Sequence, residues 1–243
     1  MPVASPQRTS KKPRHAAVVR VTHWVTAAAF FALLVTGLEI VVSHPRFYWG
    51  EVGNVNTKPA FTLPIPASRD TVATGYHYVM PDENGWSRYL HFEAAWAALL
   101  AGLVYGIWGV WTGHFRKNLA PERGERGWAA VRRVLAGYWR RAPAGDGDRY
   151  NAVQRWVYLA VIFVLFPAMI WTGLAMSPAF TAAFPETASW LGGRQSARTL
   201  HFLLTWALVG FVAVHITMIS LAGFWSRMRA MITGRAGDGK ERG

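Results

Sequence analysis

Two histidines, His201 and His215, stand fourteen residues apart in the apolar stretch Arg198–Trp225. On an α-helix that separation is about 21 Å of rise, with both side chains within roughly 40° of one face. The stretch is long enough to cross a bilayer, so one helix face would present an imidazole near each side of the membrane. Histidine inside hydrocarbon is costly and by default points to a site. Imidazole can ligate a metal or simply bond a carbonyl. The choice turns on whether other segments bring a partner to each depth.

The composition supports a membrane reading. Of 243 residues, 52% are hydrophobic, 14% aromatic and 16% charged, with thirteen Trp; an ordinary soluble domain has roughly 25% charged residues. The net charge of +13 would fit nucleic acid if the basic residues shared one face. They fall instead in blocks between apolar runs, so membrane topology explains them and no nucleic-acid partner is expected. The absence of cysteine excludes disulfides, thiolate-held iron–sulfur clusters and thioether-linked haem.

The pattern predicts an all-α membrane protein, a four-transmembrane-helix bundle with spans at 21–42, 89–111, 152–176 and 198–225. Residues 1–20 read as a retained basic tail, because the first apolar run is too long for a signal peptide and lacks a small-residue cleavage site. Residues 43–87 form a long loop rich in Pro and aromatics, 114–151 a basic loop, and 226–243 a second tail. Within the basic loop, Trp128, Val131, Leu135 and Tyr138 recur at helical spacing among Arg132, Arg133, Arg140 and Arg141. That is an amphipathic helix suited to lying on membrane lipid. The two tails and the basic loop hold 19 of the 26 Lys and Arg. Placing Lys/Arg-rich segments inside puts both termini in the cytoplasm of a multi-pass protein, expected in the bacterial cytoplasmic (inner) membrane.

That topology gives each span histidine a depth. His91 and His201 fall together on the outer side, His23 and His215 on the inner side. Two imidazoles at one depth can ligate one b-type haem from both faces, a six-coordinate arrangement suited to electron transfer. Two such haems would be stacked across the bilayer. Taken singly, each histidine could instead be a buried polar residue bonded to a carbonyl. A zinc or copper site would want ligands converging at one depth; a metal transporter using these histidines transiently would share that difficulty. His44 and His114 are the substitute ligands if the pairing is otherwise.

Arg20, Arg88 and Arg198 each precede a span histidine by three residues, on the same helix face. A guanidinium there could bind a haem propionate in bidentate fashion; a snorkelling anchor is the alternative. Arg88 and Arg198 stand on the outer side, against the charge bias. Gly37 shares the face of His23 at the outer depth, and Gly102 and Gly109 share that of His91. They would admit a flat macrocycle or close helix packing.

Arg-x-x-His-Trp at the first span, four spans and His-x13-His in the last resemble the bacterial di-haem cytochrome b family. Its members include membrane subunits of nickel–iron hydrogenase, formate dehydrogenase and thiosulfate reductase, besides small stand-alone cytochromes. The resemblance covers the four spans, and it implies an outer haem on His91 and His201 and an inner haem on His23 and His215. It also implies a quinone site beside the inner haem. In the formate dehydrogenase branch an asparagine in a Tyr-Asn-Ala-x-Gln-Lys/Arg stretch serves there; this chain reads Tyr150-Asn151-Ala152-Val153-Gln154-Arg155, which points to Asn151 and Gln154. Asn151 could equally cap the third span. The expectation is transmembrane electron transfer between an extracytoplasmic oxidoreductase, of molybdoenzyme or hydrogenase type, and the quinone pool. The long loop 43–87 would dock that redox partner. The stand-alone branch implies a rival, a superoxide:quinone oxidoreductase, with Lys58, Arg69, Arg88, Arg194 and Arg198 to attract the anion.

Overall fold

A computed structural model of the chain describes residues 15–54, 56–64, 83–121, 127, 129–130, 132–133, 136, 152–221 and 223–234. Among the described residues, four helical segments are long and apolar enough to cross a membrane: Ala17–Val42, Trp86–Trp111, Val153–Met176 and Arg194–Leu221. The first packs along the second, and the third along the fourth. Most of their buried positions are small residues, among them Ala29, Ala94, Ala98, Ala101, Ala175 and Ala197, whereas Trp96, Leu100, Leu103 and Ile107 face outward. A bundle in lipid has that pattern, because small residues let helices approach and large apolar ones meet hydrocarbon without cost.

Three departures from the expected boundaries have local causes. The second helix begins at Glu83, before the first apolar residues of the span, so the helix projects past its hydrophobic stretch. The fourth span ends at Leu221, and Gly223, at φ 98°, turns the chain into a separate helix, Phe224–Thr233. Trp225 therefore belongs to that short helix and not to the span. In the third span a π-helical turn, Val161–Leu165, interrupts the α-helix just before Pro167. Proline has no N–H to donate and crowds the carbonyl of the preceding turn, and widening that turn accommodates it.

The loop after the first span is ordered where described. Arg46–Phe47 pairs antiparallel with Phe61–Thr62, and Phe47 stacks on Phe61 and packs on Phe202 of the fourth span. The carbonyl of Gly50 accepts from the amides of Gln195 and Ser196 at 3.0 and 3.2 Å. Glu51 accepts from the amide of Arg194 at 2.9 Å. The loop thus satisfies amides that a helix leaves open at its N-terminus, and places a carboxylate where the helix dipole favours it. At the opposite end of the bundle, Arg20 and Trp24 donate to the carbonyls of Ile232 and Met231 at 2.7 and 3.2 Å, tying the C-terminal helix to the first span.

Of the expected surface helix, Arg132 and Arg133 are helical and exposed. Trp128, Val131, Leu135, Tyr138, Arg140 and Arg141 lie outside the described residues.

Candidate functional site

The structure brings the four span histidines together in two pairs. The ring centroids of His91 and His201 are 6.4 Å apart with planes tilted by 59°. Those of His23 and His215 are 6.3 Å apart, tilted by 48°. An imidazole nitrogen sits about 2 Å from a first-row metal ion and the ring adds roughly 1 Å on each side, so two rings sharing one axial metal place their centroids about 6 Å apart. Rings joined by a direct hydrogen bond of about 3 Å would sit roughly 1 Å closer. Both pairs have the spacing of shared ligation. Among the described residues no group of three or more His, Cys, Asp or Glu converges, whereas a zinc site asks for three or four protein ligands.

Each pair has its own surroundings. His91 Nδ1 lies 2.9 Å from the hydroxyl of Thr36, and His201 Nδ1 lies 2.9 Å from that of Thr172. At the other pair, Phe211 stacks on His215 with centroids 5.5 Å apart, and Tyr158 meets it edge-on at 6.1 Å. His23 Nδ1 is buried without a hydrogen-bond partner among the described residues. None of these neighbours stood out in the sequence, although Phe211, four residues before His215, lies on its helix face.

The arginines are differently employed. Arg198 donates to the carbonyl of His44 and lies over the Phe47 ring at 4.9 Å, holding the loop to the fourth span. Arg20 holds the C-terminal helix, with its Nε buried and unpartnered. Arg194 reaches the carbonyl of Met176 at 3.4 Å. Arg88 is exposed at the start of the second span. Gly37 faces His91: an added Cβ would sit 3.4 Å from its Cε1. Gly102 and Gly109 instead make room for side chains, since a Cβ would meet Phe166 at 3.3 Å and Phe115 at 2.4 Å.

His44 offers its carbonyl to Arg198. His114, beyond the second span, packs on Trp108 and Tyr105, with its Nδ1 2.9 Å from Asn118; burial lowers its pKa. Gln154 is half-buried at the start of the third span. Its neighbour Arg155 is buried and donates to the carbonyl of Ala120 at 2.9 Å. Asn151 lies outside the described residues.

Four apolar spans carrying two facing imidazole pairs define a multi-pass membrane protein. The chain belongs to the prokaryotic cytochrome b561 family, which it matches over residues 14–234. Its class of activity is membrane electron transfer with b-type haem. It is 28% identical over 212 residues to a putative protein-methionine-sulfoxide reductase subunit, YedZ1, of Azospira oryzae, spanning 85% of this chain and 90% of that protein. It is 29% identical over 212 residues to a probable Ni/Fe-hydrogenase B-type cytochrome subunit of Cupriavidus necator, spanning 82% of this chain and 75% of that one. No solved structure matches the chain significantly.

Proposed function

We propose that the chain holds two b haems, one between His91 and His201 and one between His23 and His215, and carries electrons between an extracytoplasmic oxidoreductase and the membrane quinone pool. The observation that carries this reading is the common ring separation, 6.4 and 6.3 Å, which suits a shared axial metal and is too wide for a direct hydrogen bond. A haem held between each histidine pair would supply one-electron transfer. The protein's part is to hold each imidazole in place, keep water from it and set the distance between the two sites. On the fourth span His201 and His215 are separated by about 21 Å of helix rise.

Both relatives are named as subunits, which supports a partner enzyme as donor or acceptor. The Lys/Arg-rich tails and loop support cytoplasmic termini and an inner-membrane location. The His91–His201 end then faces outward beneath the ordered loop that contacts Thr199 and Phe202. At the inner end, Gln154 and Asn151 offer amides for a quinone. Tyr158, one helical turn beyond Gln154, already lies against His215, which connects that end of the third span to the inner site.

The test is haem stoichiometry and the reduced absorption spectrum of the purified protein. Two b haems per chain are expected, with one lost in His201→Ala and one in His215→Ala, at distinguishable potentials. A colourless protein, or loss of both haems in each variant with the fold intact, refutes the assignment. Quinone reduction that is unchanged in Asn151→Ala and Gln154→Ala refutes the quinone residues while leaving the haem ligands standing.

A further inference from the structure

Two threonines clasp the rings of the His91–His201 pair. Thr36 and Thr172 are buried, at 0% and 2% exposure, and each hydroxyl lies 2.9 Å from the Nδ1 of one histidine. Each hydroxyl also lies close to the carbonyl four residues back, Ala32 at 2.7 Å and Ala168 at 2.9 Å. A hydroxyl has one proton, and the back-bond to the helix carbonyl uses it. The oxygen is then left to accept, so the imidazole donates from Nδ1–H. A neutral imidazole protonated at Nδ1 keeps its lone pair on Nε2.

The arrangement occurs twice. Thr36-Gly37 sits on the first span against the histidine of the second, and Thr172-Gly173 on the third against the histidine of the fourth. An added Cβ at Gly37 or Gly173 would lie 3.4 or 3.5 Å from the Cε1 of the facing ring. Each glycine thus lets the ring edge approach its helix while the preceding threonine fixes the ring's rotation. The other pair is built differently: among the described residues His23 Nδ1 is buried with no partner, and His215 is packed by aromatic rings.

We infer that Thr36 and Thr172 are positioning residues, which fix the Nε2-ligating tautomer of His91 and His201 and lower the reduction potential of the haem held there. The inference rests on the ligation proposed above. A hydrogen bond donated by the distal ring nitrogen makes the ligand a stronger base, which favours the oxidised iron, and second-shell bonding of this kind is a lever on haem potential.

The experiment compares haem content, the two midpoint potentials and the low-spin ferric electron paramagnetic resonance signals of the unmutated protein with Thr36→Val, Thr172→Val, Thr36→Ser and Thr172→Ser. Valine should raise one potential and shift one resonance, leaving the other haem unchanged, and serine should restore both values. Loss of one haem with valine and its retention with serine supports the same role. Potentials that do not move with valine, that both move, or that serine fails to restore overturn the inference while two haems per chain remain. Fewer than two haems in the unmutated protein overturns the ligation itself, and the inference with it.

Discussion

Gly193→Ala should detach the ordered loop from the fourth span. Gly193 has φ 109°, and a Cβ there would meet Gly50 C and O at 2.5 Å and Glu51 N at 2.6 Å, all backbone atoms. Neither side can yield by rotating a side chain, so the two backbones must part. Four hydrogen bonds depend on their closeness: Gln195 and Ser196 amides to Gly50 O, the Gly50 amide to Ser196 Oγ, and the Arg194 amide to Glu51. At about 1 kcal/mol net each they contribute roughly 4 kcal/mol, and the left-handed backbone adds on the order of 1–3 kcal/mol of strain for alanine. Gly50 is the internal comparison: its φ is 99°, yet among the described residues nothing lies within 4 Å of an added Cβ, so Gly50→Ala incurs the strain alone. Thermal unfolding in detergent, followed by tryptophan fluorescence, should place Gly193→Ala several kcal/mol below Gly50→Ala. Proteolysis of the loop should accelerate in Gly193→Ala alone. Equal destabilisation of the two variants would refute the backbone contact and the capping of the fourth span by the loop.

The same logic extends to two other contacts. Arg20→Ala removes the bond to the Ile232 carbonyl, a loss of about 1 kcal/mol, and should speed proteolytic release of the C-terminal helix; Trp24 retains its bond to Met231, so the helix should loosen without unfolding the bundle. Gly109→Ala drives a Cβ to 2.4 Å from Phe115, an overpacking cost of about 1–3 kcal/mol. Adding Phe115→Ala should relieve it, so the double variant should lose less stability in thermal unfolding than the two single losses added together.

The four spans were legible because lipid imposes one requirement over a whole segment: apolar side chains along enough residues to cross. Their ends were less legible, because helix propagation and hydrophobicity stop for different reasons. The second helix continues back to Glu83 through polar residues that the apolar criterion rejects. At the other extreme the apolar pattern continues past Leu221, but Gly223 adopts a left-handed conformation and Trp225 starts the next helix. The loop's attachment was not legible at all. Much of it runs through backbone carbonyls of His44, Tyr48 and Gly50, which every residue carries and no composition reveals.

The histidines could be sorted by depth from sequence because depth along a span is a count of residues, and direction alternates from span to span. What turns a ring toward its partner is not a count. A threonine in a membrane helix normally bonds its own carbonyl four residues back, and Thr22, Thr205 and Thr217 each do so. In sequence Thr36 and Thr172 look no different from them. Their second bond exists only because the neighbouring span sets a histidine against the free lone pair. The one available signal was Thr-Gly-Leu at 36–38 and again at 172–174, each about as far from the end of its span as the facing histidine is from the start of its own. Glycine next to a threonine that already satisfies itself has little local purpose. Its use becomes clear once a ring must come within van der Waals reach of the helix on that side. A Thr-Gly pair on one span at the depth of a histidine on the next is therefore a pattern of two helices, not of one, and only pairing by depth exposes it.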